Sequence, residues 1–547
     1  MIQRLCRSMV SRLTFLALFL FTSGLASAAE VAQPERLDAK IDKLFGKTTG
    51  WFVDLVFTTV PINGYQVFLV VLWLALAGFA LTLFFKFINL RAFGLAIRTV
   101  RGKYSTPDDP GQITHFQALT AAVSGTVGLG NIAGVAIGIM SGGPGVAFWL
   151  FLAGFLGMAT KFAECTLGVK YRDIDKEGQI HGGAMYYLPR GFKDQWGAGF
   201  GVIGKGLAFI FAICCVFASF GGGNVFQINQ TVNQLINVTG GETSFFAAHQ
   251  WVFGLIMAVV TGLVIIGGIQ GIARITDKLV PAMCIIYVLS SVLVLIVNRA
   301  HIVEALSMII TEAFHPRPAV TGGLVAVFVW GLRRATFSNE AGIGSAPIAH
   351  SSAKTRMPAS EGVVALLEPF LDTVVVCTMT SLVLVTTMYF KGDSGDFVIN
   401  GQQFTLAAGH NDAFGIGMTS LAFESVHSGF QYILFMCVLL FAFSTLITWS
   451  YYGLQAWQFI FGRQKIVELI YKLLFCLIII AGSAASVSKV IDFSDASLFA
   501  MSVPNLIGVY FLLPVVVREL GKFVRFSKRI DDGATVEESA RIAQTEG

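Results

Sequence analysis

The chain is poor in charge. Of its 547 residues, 38 are Lys or Arg and 33 are Asp or Glu, 13% in all, where an ordinary soluble domain carries about 25%. Evenly spread, even this would break every bilayer-length stretch, but the charges are segregated. Residues 111–160, 206–241, 279–298, 373–390 and 428–462 contain none. Uncharged runs of about 20 residues or more, in a chain of mean hydropathy +0.71, indicate a polytopic helical membrane protein and exclude a soluble enzyme. A concentrated basic face is also lacking. The net charge of +5 is scattered, which excludes a nucleic-acid binder. Cysteines are few: Cys6 lies near the start, and Cys165, Cys214, Cys215, Cys284, Cys377, Cys437 and Cys476 lie in or beside apolar runs. They read as packing residues, not as a disulfide or metal framework.

The first 28 residues read as a cleavable targeting segment: Arg4, Arg7 and Arg12, an apolar run from Leu13 to Phe21 too short to span, and the small-residue site Ala26-Ser27-Ala28. Residues 29–60 mix charge with Ile41, Leu44, Phe45 and Phe52 at helical spacing, which suits a helix in the outer interface. About eleven spans are expected beyond it, at 63–85, 118–140, 145–169, 207–235, 251–272, 279–297, 322–345, 363–389, 432–458, 473–487 and 498–517. With the mature N-terminus outside, 25 of the Lys and Arg residues fall in segments on the inner side and 8 on the outer. That is the positive-inside bias, and it puts the C-terminus in the cytoplasm of a cell whose inner membrane holds the protein. Arg333 and Arg334 fall inside a span.

Two spans cannot be plain helices in lipid. One reads Ala122-Val-Ser-Gly-Thr-Val-Gly-Leu-Gly-Asn-Ile-Ala-Gly134, the other Gly331-Leu-Arg-Arg-Ala-Thr-Phe-Ser-Asn-Glu-Ala-Gly-Ile-Gly-Ser-Ala-Pro347. Glycine clusters and polar side chains at mid-membrane depth are tolerated where protein or water supplies partners. Setting the first span aside, ten remain, and the interrupted ones lead each group of five. Because five is odd, the second group enters the membrane from the opposite side. This gives an all-α five-plus-five inverted repeat with one extra N-terminal helix, and the broken helices point to a transport site at the midplane. The expected division is 61–117 for the extra helix and inner linker, 118–298 for the first repeat and 299–321 for an outer loop. The second repeat then takes 322–520 and an inner tail 521–547. Gly134, Gly138, Gly154 and Gly157 are expected to serve helix packing, whereas Gly125, Gly128, Gly130, Gly342 and Gly344 cluster with Asn131, Asn339 and Glu340 and mark the breaks.

A half-helix beginning after a break aims free N–H groups at an anion, while unwound carbonyls receive a cation. An amino acid carries both charges. In the third span of the second half, Ser444 and Thr445 put adjacent hydroxyls where a hard cation needs oxygens; back-bonding to their own helix is an equal alternative.

At these residues the chain resembles a known family. Val127-Gly-Leu-Gly-Asn131, Gly142-Gly-Pro-Gly-Val-Ala-Phe-Trp149, Gly157-Met-Ala-Thr-Lys-Phe-Ala-Glu164, Gly182-Gly-Ala-Met-Tyr-Tyr187, Phe337-Ser-Asn-Glu-Ala-Gly-Ile-Gly-Ser-Ala-Pro347, Phe443-Ser-Thr445 and Trp449-Ser-Tyr-Tyr-Gly453 look like the alanine/glycine:cation symporters. The resemblance runs from about Leu44 to Phe526. It implies a LeuT-like fold and import of small neutral amino acids, chiefly alanine and glycine, with sodium or in some members protons. The segment from Ala122 also resembles the first helix of the neurotransmitter:sodium symporters. By that resemblance the carbonyls of Ser124 and Val127 and the hydroxyls of Ser444 and Thr445 form one sodium site. The Thr126 carbonyl and the Asn131 amide belong to a second. The substrate is implied near Thr126, Gly128, Leu129, Gly130, Gln227, Phe337, Asn339, Thr445 and Trp449. No obligatory protein partner is evident; alanine or glycine and membrane lipid are the expected partners.

The chain departs from the family at Arg333-Arg-Ala-Thr, where one basic residue followed by glycine is usual. The arginines are expected to form an ion pair with Glu340, Glu368 or Asp372, or to serve as a gate or a proton-linked group. Two other functions use the same features. A gated channel or sensor needs only the polar breaks, and an intramembrane hydrolase needs Ser338 or Ser345 as a dyad with His350.

Overall fold

A computed structural model describes residues 37–62, 65–392, 395–406, 415–485 and 487–545. The expected targeting segment, 1–28, lies outside the described residues. Helices dominate, as the charge-free runs require. Seven of those described are long and apolar enough to cross a membrane, eight if one bent pair counts as a single span, and two further apolar helices, Leu69–Phe84 and Gln250–Ile265, have 16 residues each.

Their order repeats once, in two groups of five. The bent pair His115–Thr126 and Gly130–Gly142 is followed by Val146–Lys170, Ala198–Val238, Gln250–Ile265 and Gly268–Val297. The second interrupted helix, Gly323–Asn339 with Ala346–His350, is followed by Pro358–Thr387, Phe430–Phe461, Lys465–Ser483 and Lys489–Phe511. The two halves touch through a parallel bridge between Ile113 and Ala353.

Each break has a local cause. Thr114 caps the first half-helix, its hydroxyl accepting from Gln117 N–H while Gln117 Oε1 accepts from Thr114 N–H, both at 3.2 Å. The helix ends at Thr126 and resumes with a π-turn, Gly130–Gly134, the two parts bent by 51°. The second break turns at Glu340, Gly342 and Gly344, all in the left-handed region at φ +57°, +87° and +85°. Two more π-stretches, Gly221–Val225 and Phe370–Cys377, face the same centre. An extra residue in a turn frees carbonyls, and such bulges gather at functional sites.

Small antiparallel hairpins ornament the loops: Thr59–Ile62 with Tyr65–Phe68, Asp173–Ile174 with Ile180–His181, and Tyr389–Phe390, Asp396–Ile399 and Gln402–Thr405. The amphipathic stretch expected in the interface forms Leu37–Val56, which docks on the last repeat helix through Phe52 against Phe493. The described cysteines are all free.

One residue leaves the inner-side count. Lys161 lies inside Val146–Lys170, fully buried, with Nζ 3.0 Å from Glu368 Oε1. It follows directly on a charge-free run, so the sequence alone read it as the edge of the membrane. The helix continues nine residues further, and a buried carboxylate neutralises it.

Candidate functional site

The backbone groups freed by the first break are met by side chains, one from the break itself and one from another helix. Gly128 N–H donates to Asn131 Oδ1 at 2.8 Å and Leu129 N–H to Gln227 Oε1 at 3.0 Å. Gln227 is held in turn by its Nε2–H bond to the Gly222 carbonyl, 2.9 Å. Asn131 Nδ2 donates to Asp372 Oδ1 at 2.6 Å, and Ser338 Oγ to Asp372 Oδ2 at 2.7 Å. Asp372 is thus a buried carboxylate that accepts from three neutral side chains, Thr373 Oγ1 being the third.

Oxygens also converge between the two halves. Thr445 Oγ1 reaches the Ser124 carbonyl at 3.1 Å and Ser444 Oγ the same carbonyl at 3.5 Å, while Ser444 Oγ also donates to the Phe441 carbonyl at 2.9 Å. Both alternatives for this hydroxyl pair therefore hold at once: Ser444 back-bonds within its helix, and both hydroxyls face the broken one. Ser124 Oγ donates across to the Ser444 carbonyl at 2.8 Å.

Between these clusters lies a small cavity lined by Gly125, Thr126, Gly130, Gly222, Gln227, Phe337, Glu340, Trp449 and Leu498. The volume a water centre can occupy is about 10 Å³, room for a single water molecule. Glycine is required where helices close on it. A Cβ at Gly128 would stand 2.5 Å from Thr445 Oγ1 and 3.0 Å from Gln227 Oε1, and one at Gly130 3.0 Å from the Phe337 ring.

Of the residues expected to hold substrate, Thr126, Gly130, Gln227, Phe337 and Trp449 line this cavity. Gly128, Leu129 and Thr445 stand immediately behind it. Asn339 does not: its Nδ2 donates to Thr373 Oγ1 at 3.0 Å, its Oδ1 accepts from Ala341 N–H, and it lines a separate apolar cavity against Leu72–Phe79 and Trp149–Thr160. Of the residues expected at the cation sites, Ser124, Ser444 and Thr445 come together as described. Thr126 and Val127 occupy the unwound turn beside them, and Asn131 is one turn away, its amide oxygen engaged by Gly128 N–H.

The paired arginines have a partner that sequence reasoning missed. Arg333 Nη2 is 2.7 Å from Asp495 Oδ2, and Arg334 donates to the same oxygen. Neither reaches the expected Glu340, Glu368 or Asp372, which are already committed: Glu340 to Ser345 and Trp449, Glu368 to Lys161 and His350, Asp372 to Asn131 and Ser338. Arg333 also lies over the rings of Phe57, Phe68 and Trp330 at 4.7, 5.4 and 4.6 Å. Acidic residues inside a membrane span were the signal for Asp495, which follows Lys489 and Asp492, and for Asp372, which follows Glu361 and Glu368. For Gly222 it was the glycine triplet 221–223. Ser338 and Ser345 both donate to carboxylates, and His350 faces Glu361 and Glu368, so no serine–histidine dyad is assembled.

A family model described as the sodium:alanine symporter family matches residues 52–537. The chain belongs to the sodium:alanine symporter family. Among its relatives is the sodium/alanine symporter AgcS of Methanococcus maripaludis, 36% identical over 87% of this chain and 98% of that protein. The probable sodium/glutamine symporter GlnT of Bacillus subtilis is 30% identical over 82% of this chain and 87% of that one. Among solved structures, MhsT in complex with L-phenylalanine matches 74% of this chain and 98% of its own at 15% identity, with a TM-score of 0.46. As a member of this symporter family the chain is a multi-pass membrane transporter that couples amino-acid movement to sodium, and not an enzyme.

Proposed function

We propose that this symporter imports alanine or glycine with sodium by alternating access, across an inner membrane with its mature N-terminus outside and its C-terminus in the cytoplasm. The observation that carries the reading is the pairing of two broken helices around a cavity of one-water size. Donors at the first break (Gly128 and Leu129 N–H) stand beside it, as does an acceptor (Glu340) at the second. A substrate carboxylate would take the N–H groups that Asn131 and Gln227 now hold. The substrate ammonium would lie toward Glu340 and the carbonyls of the breaks. Phe337 and Trp449 confine the side chain, and since an added methylene changes discrimination by only about 1–3 kcal/mol, preference for glycine and alanine over valine is finite.

Sodium would sit where the Ser124 carbonyl meets the Ser444 and Thr445 hydroxyls, with the Val127 carbonyl completing the ring. The hydroxyls already point oxygens at that carbonyl, and a cation would replace the hydrogen bonds between them. A second sodium would use the Thr126 carbonyl, Asn131 and the uncompensated Asp372 carboxylate. By linkage, sodium and substrate each raise the other's affinity by one common factor.

Alanine uptake into liposomes with external sodium replaced by choline, at two pH values, tests the coupling. Uptake should require sodium at both. Asn131→Ala and Thr445→Ala should lose transport while still reaching the membrane, and normal uptake in both would sink the site assignment. A channel would instead pass substrate without saturation at rates well above the ~10³ per second typical of carriers and enzymes.

A further inference from the structure

Five buried titratable side chains from both repeats lie in one row, hydrogen-bonded except across the 3.4 Å between His350 Nε2 and Glu368 Oε2. His115 presents Nδ1 to Glu361 Oε2; Glu361 Oε1 is 2.6 Å from His350 Nδ1; His350 Nε2 is 3.4 Å from Glu368 Oε2; and Glu368 Oε1 is 3.0 Å from Lys161 Nζ. Four of the five are completely buried and His115 is 3% exposed. At one end, His115 opens the leading half-helix beside the exposed cap Thr114, on the side where the Lys/Arg excess lies. At the other, Lys161 faces Glu340 and Glu164 as well as Glu368, and Glu340 lines the substrate cavity.

Hydrogen-bond chemistry fixes what this chain must contain. Glu361 Oε1 accepts from His350 if His350 carries a proton on Nδ1, and the Glu361 Oε2–His115 Nδ1 contact holds a single proton, which lies on Glu361 when His115 keeps its own on Nε2. His350 Nε2 and Glu368 Oε2 then face each other, and two acceptors would repel unless a proton lies between them. That proton sits in a row whose neighbours can pass it on: carboxylate, imidazole, carboxylate, imidazole. The surrounding charged and titratable groups are Arg172 near Glu361, and Asp372, Cys165 and Tyr452 near Glu368. Asp277 is held one turn from His115 by Gln117. His115 Nε2 is buried without a partner, an open link at the end of the row nearest water.

We propose that His115, Glu361, His350, Glu368 and Lys161 form a proton relay from the inner face to the edge of the substrate cavity, and that alanine binding drives one proton out through it. The inference rests on the transport reading above, since the driving event is arrival of the substrate ammonium. That cation adds positive charge beside a cluster whose ammonium and imidazolium face one ionised carboxylate, Glu368. The mobile proton responds. His350 passes its Nδ1 proton to Glu361 Oε1 and retains the one on Nε2; Glu361 passes the proton on its Oε2 to His115 Nδ1; and His115 gives up to water the proton it held on Nε2. One proton leaves and no heavy-atom bond changes. Because His115 belongs to the leading half-helix, any inward opening that moves this half parts it from Glu361 and interrupts the row.

Proton counting on purified full-length protein tests this. In weakly buffered detergent at neutral pH with sodium present, adding alanine should release about half a proton or more per protein, read by an indicator dye, as linkage requires of a group that changes protonation on binding. His350→Gln and Glu361→Gln should each cut the release about fivefold or more while alanine still binds by calorimetry. In right-side-out vesicles the change should register on a dye trapped inside and not on one outside. If those variants fail to fold, His115→Asn at the mouth carries the same expectation. Alanine-binding protein that releases no proton, or full release in every variant that folds, overturns the relay alone. Absence of sodium-driven alanine uptake in the unmodified protein overturns the transport reading and the relay with it.

Discussion

Trp449 donates its indole N–H to Glu340 Oε1 at 3.0 Å, so the third helix of the second repeat is tied to the left-handed turn that breaks the first. Both residues line the cavity between the broken helices, where the substrate is proposed to bind, and the bond holds together two walls that must separate for anything larger than water to enter. Trp449→Phe keeps the ring volume close and leaves the carboxylate with Ser345 as its remaining donor. Losing one hydrogen bond to a buried charge costs about 1.5–3 kcal/mol. Half-saturation for alanine should therefore shift by about tenfold or more, measured as initial uptake rates over a substrate range; an unchanged value would show that the bond does not shape the site.

Removal of Asp495 strands two guanidinium groups. Arg334 is fully buried and Arg333 4% exposed, and the carboxylate oxygen they share is their closest ionic partner. Breaking a buried pair by deleting one side costs about 3–5 kcal/mol. Asp495→Ala should lower the unfolding temperature of the detergent-solubilised protein by several degrees or more. Arg333→Met in the same background should recover part of that loss. A melting curve indifferent to Asp495→Ala would mean that water, not the carboxylate, neutralises the arginines.

Gly128→Ala should abolish alanine uptake while leaving the protein in the membrane, because the added methyl would collide with Thr445 Oγ1 and Gln227 Oε1. Overpacking of this kind costs about 1–3 kcal/mol, and here it falls on groups proposed to bind ion and substrate. Gly199→Ala, where a Cβ meets nothing within 4 Å, is the control and should transport normally. Equal activity in the two variants would contradict the close approach.

Outside the membrane, Asp531 on the last long helix joins the inner linker. Lys103 Nζ is 2.6 Å from its Oδ1 and Tyr104 donates to it at 2.9 Å. The Lys103 hydrogen bond, more than any other contact, holds the carboxyl below the usual aspartate range. A depressed carboxyl contributes stability that is present above its unfolded value, about 3.9, and is lost as pH falls through the folded one. Docking of the tail should therefore be intact at pH 7 and loosen below about pH 4. Hydrogen exchange of residues 513–531 against pH checks this; in Lys103→Ala the loosening should already be present at neutral pH.

Much of this was legible in the primary structure, and for identifiable reasons. Spans are written as absence of charge, and a break is written as Gly and Asn where apolar residues should stand, so Gly128, Asn131 and Glu340 announced themselves. Ser444 and Thr445 stood out as a polar pair in a run without charge. Pairings across the bundle were not legible. Nothing in Arg333-Arg334 names Asp495, 161 residues away, because the match depends on how two helices cross. The same holds for Lys161 with Glu368. Asn339 shows the converse: its place in a polar run pointed to the cavity, but the left-handed turn that begins at Glu340 leaves its amide facing Thr373 instead.

The arginine–aspartate cluster and the His115–Glu361 contact are both closed, and the cavity between the broken helices has space for one water. A sodium-coupled transporter in an energised membrane holds back ions at about 2.3 kcal/mol per charge for every 100 mV, and any continuous aqueous thread would dissipate that reserve. With aromatic rings over Arg333 at one cluster and a buried imidazole at the other, the idle protein should pass no current, and current should be seen only when substrate and sodium are moving.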